Sequence, residues 1–194
     1  MKEVKLMTQR RVLDKNKVAD AAREIVKASG MPALTFGNLA KKLGIKSQSV
    51  YNYFHNSDEL LEYLGADLMH ALYEELTTGL IGLSGREALL KYGEIAHQFF
   101  LKQGKLVRTI HTIPNYPRDS DFVKAMEQVL QIISQIIDGQ KNIKIDRVAF
   151  LQAFISQVLG FTLVESMGLF ETYDVPHTNE SFRRVLEITT DAFV

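Results

Sequence analysis

Apolar residues from Val18 to Val26 recur at Val18, Ala21, Ala22, Ile25 and Val26, the spacing of one helix face. Asp14 stands where such a helix takes its N-cap, and Gly30 where it takes a C′ residue. Met31 before Pro32 marks a short connection, because the residue preceding proline avoids the helical region. Thr35 then caps a second helix whose inner face is Phe36, Leu39, Ala40 and Leu43, and Gly44 stops it. Ser47 caps a short third helix running to about Phe54, with Val50 and Phe54 one turn apart. Asn56 with Glu59 three residues later has the form of a capping box. It opens a fourth helix that carries Leu60, Leu61, Leu64, Leu68, Leu72 and Leu76 and ends near Gly79.

Further helical segments are predicted over 85–103, 105–113, 120–138, 146–168 and 179–193, with loop-like stretches between them. No strand alternation and no internal repeat is visible. The expected fold is all-α, with about nine helices. The most apolar stretch, Val148 to Val164, is broken by Gln152, Ser156 and Gln157 and reads as a buried helix rather than a membrane span.

Composition narrows the class. A chain of 194 residues can bury a sizeable core, and with no cysteine it can build neither a disulfide framework nor a thiolate metal site. The charged start "MKEVKLMTQRR" has no apolar h-region behind it, so a signal peptide is not expected and the protein is placed in the cytoplasm. Net charge is zero, but it is unevenly spread. Met1 to Ser57 holds eleven Lys and Arg against four acids, a net of +7, while the rest holds twelve against nineteen, a net of −7. A basic end of this kind is either a polyanion-binding face or an ordinary solvated one.

The second and third helices are separated by about four residues that include a glycine, which is helix-turn-helix spacing. Lys46, Ser47, Gln48 and Ser49 sit at the start of the third helix, where side chains reach base edges and phosphates and backbone amides favour anions. Tyr51 and Tyr53 place hydroxyls along the same segment, and Lys41 and Lys42 lie on the solvent side of the second helix. Each feature alone also suits a plain pair of core helices. Combined with the basic N-terminal third, they favour a DNA-reading device.

The stretch from Thr35 to Leu61, "TFGNLAKKLGIKSQSVYNYFHNSDELL", resembles the DNA-binding signature of the TetR/AcrR family of transcriptional regulators. The matching elements are Thr35, Leu39-Ala40, Leu43-Gly44-Ile45, Ser47, Val50-Tyr51, Tyr53-Phe54 and the Asp-Glu-Leu-Leu that follows. "AAREIVKASG" is similar to the family's first helix. The resemblance implies a DNA-binding domain over 1–57 that uses Thr35, Lys46, Ser47, Gln48, Ser49, Tyr51, Tyr53 and Ser57. Ser57 departs from the pattern, since the family usually has a phosphate-binding lysine there.

The resemblance further implies that 58–194 is a helical ligand-binding and dimerisation domain. It also implies a homodimer paired through the last two helices, a palindromic double-stranded operator, and repression lifted by a small lipophilic effector. Among the aromatic and polar residues of the middle helices, Tyr92, His97, Phe100, His111, Phe122, Met126, Phe154 and Gln157 are candidates to line its pocket. Regulation by a protein partner, with no small ligand, is the alternative. His97, His111 and His177 form no metal or catalytic pattern, and no nucleophile motif or phosphate loop occurs. An enzyme, a metal site and a cofactor are therefore not expected.

Overall fold

The computed structural model describes residues 13–139, 146–170 and 178–191, apart from the side chains of 108 and 110–114. Eight α-helices run in the order α1 (Lys15–Ser29), α2 (Phe36–Leu43), α3 (Ser47–Val50), α4 (Ser57–Gly79), α5 (Gly85–Gln103), α6 (Asp121–Asp138), α7 (Arg147–Ser166) and α8 (Thr178–Asp191). No strand occurs among the described residues, so the fold is all-α. Residues 105–113, expected as a ninth helix, lie instead in a run of 3-10 turns from Gly104 to Asn115. Gly104, at φ 55°, ends α5, and the β-branched residues and Pro114 beyond it favour no long helix. The chain divides into two units, Met1–Leu60 and Leu61–Val194.

The first unit closes around Val18, Ala22, Val26, Leu39, Ala40, Val50 and Phe54, all buried. The expected caps form. The Asp14 carboxylate accepts from the Lys17 amide at 2.8 Å, and the Thr35 hydroxyl accepts from the Asn38 amide at 3.1 Å. Gly44 ends α2 in the left-handed conformation, φ 66° and ψ 32°. Its amide and that of Ile45 fold back onto the last carbonyls of α2, with Ile45 N–H donating to Ala40 at 3.0 Å. The chain thereby turns within a few residues and delivers Val50 to the core.

In the second unit α5 is the hub, packed against α6, α7 and α8. Leu72, Leu76, Leu89, Phe99, Phe122, Ile133, Phe154, Phe182 and Leu186 form the buried centre. Phe122 of α6 lies so close to Gly65 of α4 that a Cβ there would run into its ring. Beside this contact the Asp121 amide donates to Glu62 at 3.2 Å. The expectation that Val148–Val164 forms a buried helix is only partly met. Phe150, Phe154, Val158 and Thr162 make one buried stripe of α7, whereas Val148, Ala149, Gln152, Ala153 and Ser156 are exposed. α7 is long and apolar enough to cross a membrane, but only 22% of it is buried. Its apolar character exceeds what one face needs.

Gly44→Ala tests the turn directly. A Cβ there would meet nothing within 4 Å, so its cost is backbone strain alone, about 1–2 kcal/mol for an L-residue in the left-handed region. Denaturant unfolding should show that loss, with a smaller one for Gly44→Asn. An unchanged midpoint would mean that the turn does not hold this conformation.

Candidate nucleic-acid interface and interior cavity

α3 is a single turn. Ser47, expected as its cap, is instead its first residue, and Lys46 takes the cap position without a side-chain bond. The backbone tightens beyond Val50, where the Tyr53 and Phe54 amides both donate to its carbonyl, at 2.9 and 3.2 Å. A helix this short carries little dipole, so any ligand selectivity must come from side chains. Lys46, Ser47 and Gln48 are exposed, Ser49 is half-buried, and Val50 points into the core. Tyr51 is 54% exposed, with its ring edge-on to Phe36 at 4.9 Å. Thr35, Tyr51 and Ser57 border one polar groove of about 410 Å³, together with Leu34, Phe36, His55 and Asn56.

Two of the expected outward residues have internal partners. Tyr53 is half-buried, and its hydroxyl donates to the Leu13 carbonyl at 3.1 Å, tying the chain ahead of α1 to the end of the helix-turn-helix. Lys42 pairs with Glu24 of α1 at 2.6 Å, while Lys41 is exposed. The reason is common to both. Each stands next to the chain around α1, where a polar side chain finds a partner: Tyr53 half-buried, and Lys42 on the surface.

The predicted capping box forms with one change. The Asn56 side chain accepts from the Glu59 amide at 2.8 Å, but Glu59 reaches back to the amide of His55, not Asn56, at 2.7 Å. Its carboxylate also meets His55 Nδ1 at 2.7 Å and Lys15 Nζ at 2.9 Å. Lys15 in turn lies over the Phe54 ring, 4.8 Å from its centroid. The His55 amide, followed by Lys15 and the His55 ring, holds the Glu59 carboxyl down at about 2 against the opposing effect of burial. One carboxylate thus joins the start of α1, the turn after α3 and the start of α4.

The second unit holds an apolar pocket of about 140 Å³ between α4, α5, α6 and α7, open on one side past the half-buried Met126, Leu130, Ile155 and Leu159. Four expected residues line it: Tyr92, Phe100, Met126 and Phe154. Three others work elsewhere. His97 is buried, stacks on Phe182 at 3.9 Å and meets Glu165 at 2.6 Å. Phe122 packs on Gly65, and Gln157 accepts from the Thr189 hydroxyl of α8. The side chain of His111 lies outside the described residues, as does His177.

Residues 18–64 match the family model described as bacterial regulatory proteins, tetR family. The match places a tetR-family regulatory domain over those residues, in the N-terminal part of the chain. Solved structures with this fold include a protein of unknown function from Rhodococcus sp. RHA1, 13% identical, with a TM-score of 0.82, covering 96% of this chain and 98% of that one. A TetR variant from Acinetobacter baumannii AYE in complex with minocycline is 23% identical, with a TM-score of 0.64 over 92% and 95% of the two chains. BioQ is known from Mycobacterium smegmatis at 22% identity, with a TM-score of 0.68 over 92% and 96%. A structure of BioQ with its natural double-stranded DNA operator has a TM-score of 0.66. At these identities the likeness is one of fold. No curated protein matches the sequence.

Sequence reasoning missed Lys15, His55 and most of the cavity wall. Met69, Ala96, Val129 and Val158 repeat at helical spacing like any core residue, so only packing separates them. The Lys15–Glu59 contact spans 44 positions and leaves no periodic trace.

The Glu59 cluster makes stability depend on acid. Its folded carboxyl binds a proton less readily than the unfolded one, whose ordinary value is 4.5. The contribution is therefore complete above about pH 4.5 and disappears as pH falls toward 2. Urea midpoints measured from pH 5 to pH 2.5 should fall more steeply for the wild type than for Glu59→Gln. Parallel curves would remove Glu59 from this role.

Proposed function

We propose that this TetR-family regulator is a homodimeric, cytoplasmic, non-enzymatic repressor. It reads a palindromic operator through residues 1–57 and releases it when a small lipophilic molecule binds within residues 58–194. The observation that carries this reading is the exposed set Lys46, Ser47 and Gln48, borne on a one-turn helix whose inner residue, Val50, is fully buried. A rigid mount with a polar, cationic outer face is what base and phosphate contacts require. Thr35, Tyr51 and Ser57 border the adjoining groove and suit the flanking backbone. Ser57 supplies a hydroxyl where the family's lysine would supply a charge. The operator complex of BioQ and the minocycline complex of the Acinetobacter TetR support the two halves of the reading.

Dimerisation follows from the unspent surface of α7 and α8. Val148 is 61% exposed and Ile188 is 66% exposed, beside Ala149, Ala153 and Ser156. A second copy covers such a face by two-fold pairing. α4 starts in one unit and continues in the other, so it is the element through which an effector biases DNA affinity. It does so only by binding one conformation better than the other.

Sedimentation should show a dimer without DNA, and Ile188→Asp should yield folded monomers. A wild-type monomer at micromolar concentration would end the dimer reading. In shift assays with an inverted repeat from the flanking DNA, Lys46→Ala should weaken binding to all sequences alike and lower the salt slope by about one. Gln48→Ala should relax base preference. Equal losses on operator and random DNA for both variants would overturn these roles.

A further inference from the structure

The interior cavity carries chemical information of its own. Its wall is apolar throughout, contributed by four helices. The Tyr92 hydroxyl, at its wall, is already committed: it donates to the Val129 carbonyl at 3.2 Å. Burial pushes that hydroxyl's pKa up, so it stays neutral. Among the described residues, no lysine, arginine, aspartate, glutamate or histidine lines the space. A carboxylate or ammonium placed there would lose its hydration and gain no counter-charge.

Size and wall texture narrow the occupant further. The volume of about 140 Å³ is close to the roughly 150 Å³ at which an apolar cavity stays dry and takes up benzene or xenon. Phe100 and Phe154 offer ring edges and faces, while Met69 and Met126 offer polarizable sulfurs that pack well against aromatic rings. Met126 also has the flexibility to adjust to a ring substituent.

We infer that the cavity binds an uncharged, single-ring aromatic hydrocarbon of about the size of toluene. This deepens the effector reading given above and rests on it for its regulatory meaning, but binding itself is measurable without DNA. Anionic and long-chain amphiphiles are excluded by the same wall. The described wall offers the head group no partner, and the space is too small to take up the whole chain.

The full chain, free of DNA, is titrated with toluene, with benzoate as its charged counterpart, and with octanoate as a flexible amphiphile. Toluene at ten times its dissociation constant should raise Tm by about 3–6 °C, and benzoate and octanoate should leave it unchanged. Leu159→Phe, which fills the cavity from a half-buried position, should abolish the toluene shift. Xenon NMR on the wild type supplies a check that needs no variant: a saturable shift that toluene suppresses is expected. No toluene or xenon binding would overturn the inference, as would equal binding of benzoate or octanoate. If toluene binds yet the operator complex persists, the effector reading fails and the cavity assignment stands. If operator DNA is not bound at all, the regulatory reading fails by itself.

Discussion

A helix of one turn has no stability of its own in water, since the nucleation cost exceeds what a single hydrogen bond returns. α3 is such a helix. Everything it presents to the outside therefore depends on what grips its inner side and its two ends. Val50 and Phe54, both fully buried, anchor it to α1 and α2. Gly44 bends the chain in front of it, and the Glu59 carboxylate holds the turn behind it through His55 while reaching Lys15. The outer residues Lys46, Ser47 and Gln48 are thereby free of any structural duty. That division of labour gives a reading surface its rigidity, because conformational entropy is already spent on folding.

The same economy explains why some polar residues bond within the unit. Tyr53 and Lys42 have the chemistry of phosphate contacts, yet each bonds within the unit, to Leu13 and to Glu24. These contacts tie the basic N-terminal segment together, where a net charge of +7 over 57 residues would otherwise repel itself. The acids Asp14, Glu24 and Glu59 all have lowered pKa values, held chiefly by the Lys17 amide, by Lys42 and by the His55 amide respectively. The charge that remains outward is the part available to a polyanion.

The second unit solves a different problem. Its helices border a small apolar space and still leave apolar surface exposed on α7 and α8. α5 does the first by packing on three neighbours. α7 serves both ends, with Phe154 and Val158 on the cavity and Val148 and Ala153 on the outside. A helix asked to face apolar surroundings on two sides loses the amphipathic contrast by which burial is normally read.

Local rules were enough for the all-α class, the caps at Asp14 and Thr35, the stop at Gly44 and the box at Asn56–Glu59. Each rests on backbone groups within four residues, where sequence spacing and spatial distance are the same thing. The exposed positions of α3 and Tyr51 followed from the same short-range geometry. Tertiary structure decided the rest. It ended α3 at Val50, turned residues 104–115 into 3-10 turns, and gave Tyr53, His97, Phe122 and Gln157 partners 32 to 68 positions away. It also selected which of many equivalent apolar residues border the cavity. Periodicity says which face of a helix is inward, but packing between helices decides what that face meets.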